Sequence, residues 1–168
     1  MPNDHKLLSA ITTFVFDVDG VMTNGQVLVS ENGELLRSMN IKDGYALKLA
    51  VQRGYRVCII TGGRSEGVRL RFSALGIKDY YSGVHDKAPV LDGYAERHGL
   101  PRQELLYVGD DLPDLPAMQA CGVSCAPADA VEQVRSVADL VLERGGGQGC
   151  VREIIERVLR SQGKWEAA

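Results

Sequence analysis

The 168-residue sequence has no block of basic residues and no long apolar run. Its formal net charge of −3 argues against nucleic acid as a partner. The apolar stretches are too short to span a membrane. The first residues, MPNDHKLLSA, lack the basic end and long apolar stretch of a signal peptide. We therefore expect a cytoplasmic protein that binds neither nucleic acid nor membrane.

The four cysteines form no CxxC pair and no cluster with histidine at the spacing of a zinc site. We expect all four to be reduced and structural, and Cys58, in the run VCII, to be a small core residue. Aromatic residues are also scarce, at 6%, whereas 45% of the residues are apolar and 19 are glycine. This composition predicts one globular domain over residues 1–168, with many tight turns.

Strand-like apolar runs alternate with helical patterns along the chain. The predicted strands are residues 11–16, 55–60, 104–109, 122–126 and a weaker one at 138–142. The predicted helices are residues 43–54, 65–76, 87–99, 115–122 and 149–163. This alternation predicts an α/β fold, a Rossmann-like parallel sheet with helices on both faces.

One segment breaks the alternation directly after the first strand. Residues 25–40 read as two short strands around Asn32-Gly33, and Asn-Gly is a strong hairpin signal. The predicted β-hairpin flap spans about residues 22–39. It is either a β-excursion without a function, a flap over a site or a contact with another subunit. Its side chains favour burial against another subunit, because they are too apolar for water: Val27, Leu28, Val29, Leu35 and Leu36.

Polar side chains follow three of the predicted strands. The first strand ends in FDVDG, and strand positions two apart point to the same side. Ligands of α/β sheets bind outside the carboxyl ends of the strands, where these residues would converge. A hard divalent cation would balance the excess of carboxylates, and a lysine would add positive charge. The residues are Asp17 and Asp19, then Thr61 and Gly62, then Lys87 at a helix start, and finally Asp110, Asp111 and Asp114.

The order DxD, Thr-Gly, Lys and GDDxxD resembles the four motifs of the haloacid dehalogenase superfamily of phosphotransferases. The resemblance implies that Asp17 is the nucleophile and Asp19 the general acid and base. It also implies Mg²⁺ as the cofactor, held by the Asp17 side chain, the Asp19 backbone carbonyl and Asp110. Thr61 and Gly62 would bind the phosphoryl oxygens and Lys87 would balance their charge. Asp111 and Asp114 would support Lys87 and the metal-bound waters.

The chain has no room for a cap domain, either between Gly20 and Thr61 or between Thr61 and Lys87. FDVDGVMTNG, NIKDGYAL and the tail RGGGQGCVREIIERVL resemble the uncapped 3-deoxy-D-manno-octulosonate 8-phosphate phosphatases. This implies hydrolysis of a sugar-acid phosphate in lipopolysaccharide precursor biosynthesis, by a homotetramer whose hairpins pack together. The implied substrate pocket adds seven residues to Thr61, Gly62 and Lys87: Asn40, Lys42, Asp43, Gly44, Lys48, Gly63 and Arg71.

Alternatives to this interpretation remain. Gly63 departs from the octulosonate phosphatases, which usually carry Arg there, and from a sister branch for nine-carbon keto-acid phosphates, which carries an acidic residue. The substrate is therefore the phosphate of an eight- or a nine-carbon acid.

Two other classes of protein are alternatives to an enzyme of this family. A phospho-receiver module would lack Asp19, and a catalytically silent assembly subunit would not need every motif position. His85 is either a surface residue or a site residue, and the turn at residues 145–147 either connects elements or closes a site.

Overall fold

The computed structural model describes residues 2–165 and places a six-stranded, all-parallel sheet at the centre of the fold. The predicted domain extends beyond this part by residue 1 and residues 166–168. The order of the sheet strands is β5-β4-β1-β6-β7-β8, and two further strands, β2 and β3, form a separate hairpin. The strands are β1 (Thr13–Phe16), β2 (Leu28–Val29), β3 (Leu35–Leu36), β4 (Arg56–Ile60), β5 (Asp79–Tyr81), β6 (Leu105–Val108), β7 (Val123–Ala126) and β8 (Leu140–Val141).

The helices cover both faces of this sheet, which confirms the predicted α/β fold without a cap domain. Alternation along β1 explains the two layers, because Phe14 and Phe16 pack into one core while Val15 packs into the other. The first core takes side chains from α1, α2, α3 and α7, and the second from α4, α5 and α6. The helices are α1 (Pro2–Leu8), α2 (Ile41–Gln52), α3 (Glu66–Ala74), α4 (Lys87–His98), α5 (Leu115–Gln119), α6 (Glu132–Arg135) and α7 (Cys150–Ser161).

Three short elements were not predicted from the sequence. Strand β5 is a half-buried edge strand of the sequence Asp-Tyr-Tyr, which has no apolar run, and it is defined by its pairing with β4. Helices α1 and α6 have only seven and four residues, too few for a clear period of 3.6. Within residues 2–165, no helix is both long and apolar enough to cross a bilayer.

The predicted hairpin is present, although its strands have only two residues each. Leu28 pairs with Leu36 and Val29 with Leu35 in antiparallel register. Ser30 N–H donates to the Glu34 carbonyl at 2.9 Å, and Gly33 turns the chain with φ of +78°. The apolar side chains of the hairpin are exposed in the single chain, and their expected burial against another subunit stays a prediction.

The glycine-rich turn before α7 packs against the loop that follows β1. The Gly146 N–H donates to the Asp129 carboxylate at 2.8 Å, and the Gly147 N–H donates to the Val21 carbonyl at 3.0 Å. A Cβ atom at Gly146 would lie 2.0 Å from the carbonyl oxygen of Gly20. The turn at residues 145–147 therefore holds the loop after β1 by backbone-to-backbone packing within one chain.

We expect Gly146→Ala to destabilise the fold by about 1–3 kcal/mol. The new methyl group would overlap backbone atoms, which cannot move aside by changing a side-chain rotamer. Gly93→Ala is the matched control, since a Cβ at this position in α4 would meet no atom within 4 Å. We expect the control to stabilise the protein by about 0.5–1 kcal/mol, the usual gain from Gly to Ala in a helix. Urea unfolding measures both. Equal stability of the two variants would contradict the close packing.

Candidate active site

A buried lysine joins two carboxylates at the carboxyl edge of the sheet. Lys87, the first residue of α4, is 4% exposed. Its ammonium lies 2.9 Å from Asp17 Oδ1 and 2.7 Å from Asp114 Oδ1. Asp17 follows β1 directly, and its backbone N–H donates to the Val108 carbonyl at the end of β6. The parallel pairing of β1 with β6 thus brings the first and last sequence motifs together.

Asp114 is occupied by four hydrogen-bond donors. Its Oδ1 accepts from Lys87 Nζ and from the Tyr107 hydroxyl, and its Oδ2 accepts from the backbone N–H groups of Asp110 and Asp111. A carboxylate in this setting orders its neighbours and has little capacity left for a ligand. The arrangement is consistent with the predicted supporting role of Asp114, which stays a prediction.

Burial makes the carboxylates of this site hard to ionise. The pKa of Asp17 rises from its ordinary 3.8 to about 7, first because of burial and then because of Asp114, although Lys87 opposes the rise. Burial, followed by Asp17, raises the pKa of Asp110 to about 7 as well. Burial alone would lower the pKa of Lys87, but Asp17 and Asp114 raise it above its ordinary value. Lys87 is therefore the charged partner, and the site is short of positive charge.

The donor atoms fit a divalent cation. Oxygens of Asp17, Asp110 and Asp114 come within 4.8 Å of one another. Asp110 Oδ1 is buried without a hydrogen-bond partner, which is costly unless a cation or water takes it. Once ionised, Asp17 and Asp110 carry more negative charge than the single Lys87 ammonium can balance, and their oxygen donors suit Mg²⁺. Gly20 makes room for Asp110, since a Cβ there would lie 1.9 Å from Asp110 Oδ2.

The Thr-Gly-Gly turn after β4 faces the same cleft. Thr61 is buried, and its Oγ1 accepts from the Gly63 N–H at 3.2 Å, so the hydroxyl hydrogen can point to another acceptor. The Thr61 backbone pairs with Tyr81 and Val84, which fixes the turn beside β5. A hydroxyl and backbone N–H groups at such a turn form an anion-binding concavity.

One cleft of about 330 Å³ collects most of the predicted site residues. Its lining also includes four residues that the sequence analysis did not assign to the site or left open: Gly25, Val84, Pro113 and His85. Only His85 carried a signal, its position two residues before Lys87. The predicted residues in the lining are Asp17, Asp19, Thr61, Gly62, Gly63, Lys87, Asp110, Asp111 and Asp114.

The other predicted substrate residues lie outside this lining. Asn40 caps α2 by accepting from the Lys42 N–H and donates to the Gly147 carbonyl. Lys42 and Lys48 are exposed on α2. The Gly44 Cα and Arg71 are neighbours, because a Cβ at Gly44 would lie 2.5 Å from Arg71 Nη2. The roles of these residues in substrate binding stay predictions.

Asp43 is a buried carboxylate that faces α7. Its Oδ1 accepts from the Arg152 N–H at 2.8 Å, so it caps the first turn of a helix whose own N-cap is Gly149. Burial raises its pKa to about 6, and Oδ2 has no hydrogen-bond partner. In this chain Asp43 thus joins α2 to α7, and its role in substrate binding likewise stays a prediction.

Arg37 is a residue of the site that the sequence analysis missed. It follows β3 and reaches from the hairpin to Asp19, with Nε 2.6 Å from Oδ1 and Nη2 3.1 Å from Oδ2. The sequence signal was only a basic residue at the end of the predicted flap. The direction of its side chain depends on how the hairpin folds over the sheet.

A family model described as haloacid dehalogenase-like hydrolase matches residues 81–154. This match is consistent with the parallel sheet, the strand-end motifs and the aspartate–lysine cluster. Fold and site together define the class of haloacid dehalogenase-like hydrolases.

Named relatives narrow the class. The chain is 37% identical over 157 residues to the 3-deoxy-D-manno-octulosonate 8-phosphate phosphatase of Haemophilus influenzae. The alignment covers 94% of this chain and 87% of the relative. The Yersinia pestis phosphatase of the same name has a TM-score of 0.95 at 34% identity, over 98% of this chain and 89% of that one. The Moraxella catarrhalis phosphatase, solved with magnesium, phosphate and 3-deoxy-D-manno-octulosonate (KDO), has a TM-score of 0.95 at 33% identity, over 98% and 95%. The chain belongs to the family of the 3-deoxy-D-manno-octulosonate 8-phosphate phosphatases.

Mg²⁺ should stabilise the fold in a pH-dependent manner. Because the folded-state pKa values of Asp17 and Asp110 are about 7 and the ordinary value is 3.8, the metal-free folded chain holds more protons than the unfolded chain between about pH 4 and pH 7. Its free energy of unfolding therefore falls as the pH rises through that window. Mg²⁺ needs the ionised carboxylates, so its stabilisation is largest above pH 7 and is lost as protons compete below it.

Thermal melts at pH 5.5 and pH 8.0, with and without Mg²⁺, measure this effect. At about a hundred times its dissociation constant the metal should add about 2.7 kcal/mol at pH 8.0, or roughly 5–10 °C in Tm. Asp110→Asn should remove most of the increase, whereas Asp92→Asn, an exposed carboxylate on α4, should retain it. The same increase at both pH values, or in Asp110→Asn, would contradict this metal site.

Proposed function

We propose that this chain is a Mg²⁺-dependent phosphomonoester hydrolase that removes the phosphate from 3-deoxy-D-manno-octulosonate 8-phosphate, a step of lipopolysaccharide precursor biosynthesis. The observation that carries the proposal is the cleft in which Asp17, Lys87 and the unpartnered Asp110 oxygen meet. The substrate is supported by the relatives of that name and by the KDO complex of the Moraxella catarrhalis protein. A cytoplasmic location stays a prediction.

In the first half of the reaction the Asp17 carboxylate attacks phosphorus and the bond to the sugar oxygen breaks. The product is an aspartyl-phosphate, and the leaving alkoxide takes a proton from Asp19. Thr61 and the Gly62 amide donate to the phosphoryl oxygens, and the Lys87 ammonium, 2.9 Å from Asp17 Oδ1, balances the charge that develops there.

In the second half a water molecule attacks the same phosphorus atom. Asp19, now a carboxylate, takes the proton of the water, and the bond between phosphorus and Asp17 breaks to release inorganic phosphate. The proton on Asp19 restores the starting state. Mg²⁺, held by Asp17, Asp110 and the Asp19 backbone carbonyl, would offset the repulsion between carboxylate and phosphate.

We also propose that the hairpin assembles the chain into a homotetramer. The five apolar side chains of the hairpin are between 41% and 69% exposed, and Ile41 beside it is 78% exposed. An apolar patch of this kind on so small an element is typical of a protein interface. Pairing with the hairpins of other copies would remove this surface from water.

Phosphate release from a panel of sugar phosphates tests the activity. We expect the eight-carbon 3-deoxy-2-keto acid phosphate to be preferred over the nine-carbon one. Asp17→Asn should reduce release to background because the nucleophile is gone, and Asp19→Asn should reduce it by about 10²–10⁴. Asp92→Asn, outside the cleft, should be unaffected. A preference for the nine-carbon acid would change the substrate but retain the mechanism, and full activity of Asp17→Asn would refute the mechanism.

Light scattering after size-exclusion chromatography tests the assembly. We expect a mass of four chains for the wild type and a smaller mass for Val29→Glu, because a charge would be buried at the interface. Val137→Glu is the matched control, because Val137 lies outside the hairpin and is 53% exposed, similar to the 63% exposure of Val29. A monomeric wild type, or equal masses for the two variants, would argue against a hairpin interface.

A further inference from the structure

Arg37 is a buried arginine whose guanidinium is held at three points. Its side chain is only 6% exposed. Nε and Nη2 contact the two oxygens of Asp19 at 2.6 and 3.1 Å, and Nη1 donates to the Leu35 carbonyl of β3 at 3.0 Å. The planar fork of arginine matches both oxygens of a carboxylate, so such a pair fixes orientation as well as charge. Arg37 therefore determines the orientation of the Asp19 carboxylate.

Gly63 provides the space that the guanidinium occupies. A Cβ atom at Gly63 would lie 2.9 Å from Arg37 Nη2 and 3.0 Å from Asp19 Oδ2. Gly63 is not among the glycines with positive φ, so its backbone conformation is open to other residues. A side chain at position 63 would therefore press against the ends of Arg37 and Asp19 and disturb the contact between them.

Asp19 remains accessible from the side of the cleft. Its side chain is 37% exposed although both oxygens are paired with Arg37. Each carboxylate oxygen has a second lone pair, so a bidentate arginine leaves acceptor positions unused. Asp19 also lines the cleft together with Asp17 and Lys87. The guanidinium thus contacts both oxygens of Asp19 while the Asp19 side chain remains part of the cleft lining.

We propose that Arg37 is a positioning residue for Asp19: it reaches from the hairpin into the space left by Gly63 and fixes the carboxylate that exchanges a proton with the leaving oxygen. The inference rests on the proposed function, in which Asp19 is the general acid and base. It makes the hairpin part of the catalytic apparatus of its own chain, in addition to its proposed role in assembly.

Substrates with different leaving groups test this role. A sugar alkoxide needs a proton when it leaves, whereas p-nitrophenolate leaves without one. Arg37→Ala should therefore lower kcat/KM for the sugar-acid phosphate by about 10- to 100-fold, with KM changed less than threefold. For p-nitrophenyl phosphate kcat/KM should change less than threefold. Arg37→Lys retains the charge without the fork and should give an intermediate loss.

Gly63→Ala provides an independent test, because it leaves both charged side chains in place. The new methyl group would displace the flexible end of Arg37 or the Asp19 carboxylate rather than backbone, so folding should be retained. We expect the same leaving-group-dependent loss as in the Arg37 variants. Arg135→Ala, an exposed arginine on α6, is the control and should match the wild type on both substrates. Thermal melts check that every variant is folded, and Gly63→Ala retains the test if Arg37→Ala does not fold.

Four results would overturn the proposal. Equal losses on both substrates would indicate a general structural role, and an effect confined to KM would make Arg37 a substrate-binding residue. Unchanged activity would make the pair dispensable, and increased activity would make it an inhibitory contact. A wild type that hydrolyses other alkyl phosphates, but neither the eight- nor the nine-carbon acid phosphate, would refute only the proposed substrate. The role of Arg37 could still be tested, because any alkyl leaving group can be compared with p-nitrophenyl phosphate.

Discussion

The contact of one buried ammonium with two carboxylates organises the catalytic edge of this protein. Lys87 is almost fully removed from water, and a charge in that position is tolerated only when it is paired. Of its partners, Asp17 follows β1 directly, and Asp114 lies in the 3₁₀ turn between β6 and α5. Removing one member of such a buried group typically costs about 3–5 kcal/mol, so the contact that holds Asp17, the proposed nucleophile, also fixes α4 to the sheet.

The carboxylates around Lys87 outnumber the positive charge available to them. Burial raises the pKa values of Asp17 and Asp110 to about 7, and one Asp110 oxygen has no hydrogen-bond partner. A structure optimised for stability alone would not retain such a group. The unpartnered oxygen and the cluster of carboxylates therefore favour a divalent cation in this cleft.

Two glycines create the space in which this site is assembled. Gly20 admits Asp110 beside the loop after β1, and Gly63 admits Arg37 beside Asp19. At Gly20 a methyl group would overlap the Asp110 carboxylate, and at Gly63 it would press against the ends of Arg37 and Asp19. Both glycines thus leave room for charged side chains of the site.

The sequence by itself determined the α/β fold, the hairpin and the convergence of the strand-end motifs. Hydrophobic periodicity and turn residues are local signals, and parallel strands with acids at their carboxyl ends must bring those acids to one edge. It did not reveal β5, Arg37 or the capping of α7 by Asp43. A half-buried edge strand is defined by its neighbour, and the contacts of Arg37 and Asp43 join residues 18 and 109 positions apart. Only the tertiary structure decides such contacts, because they depend on how a hairpin or a helix packs against the rest of the fold. The sequence neighbours of Arg37 and Asp43 do not determine them.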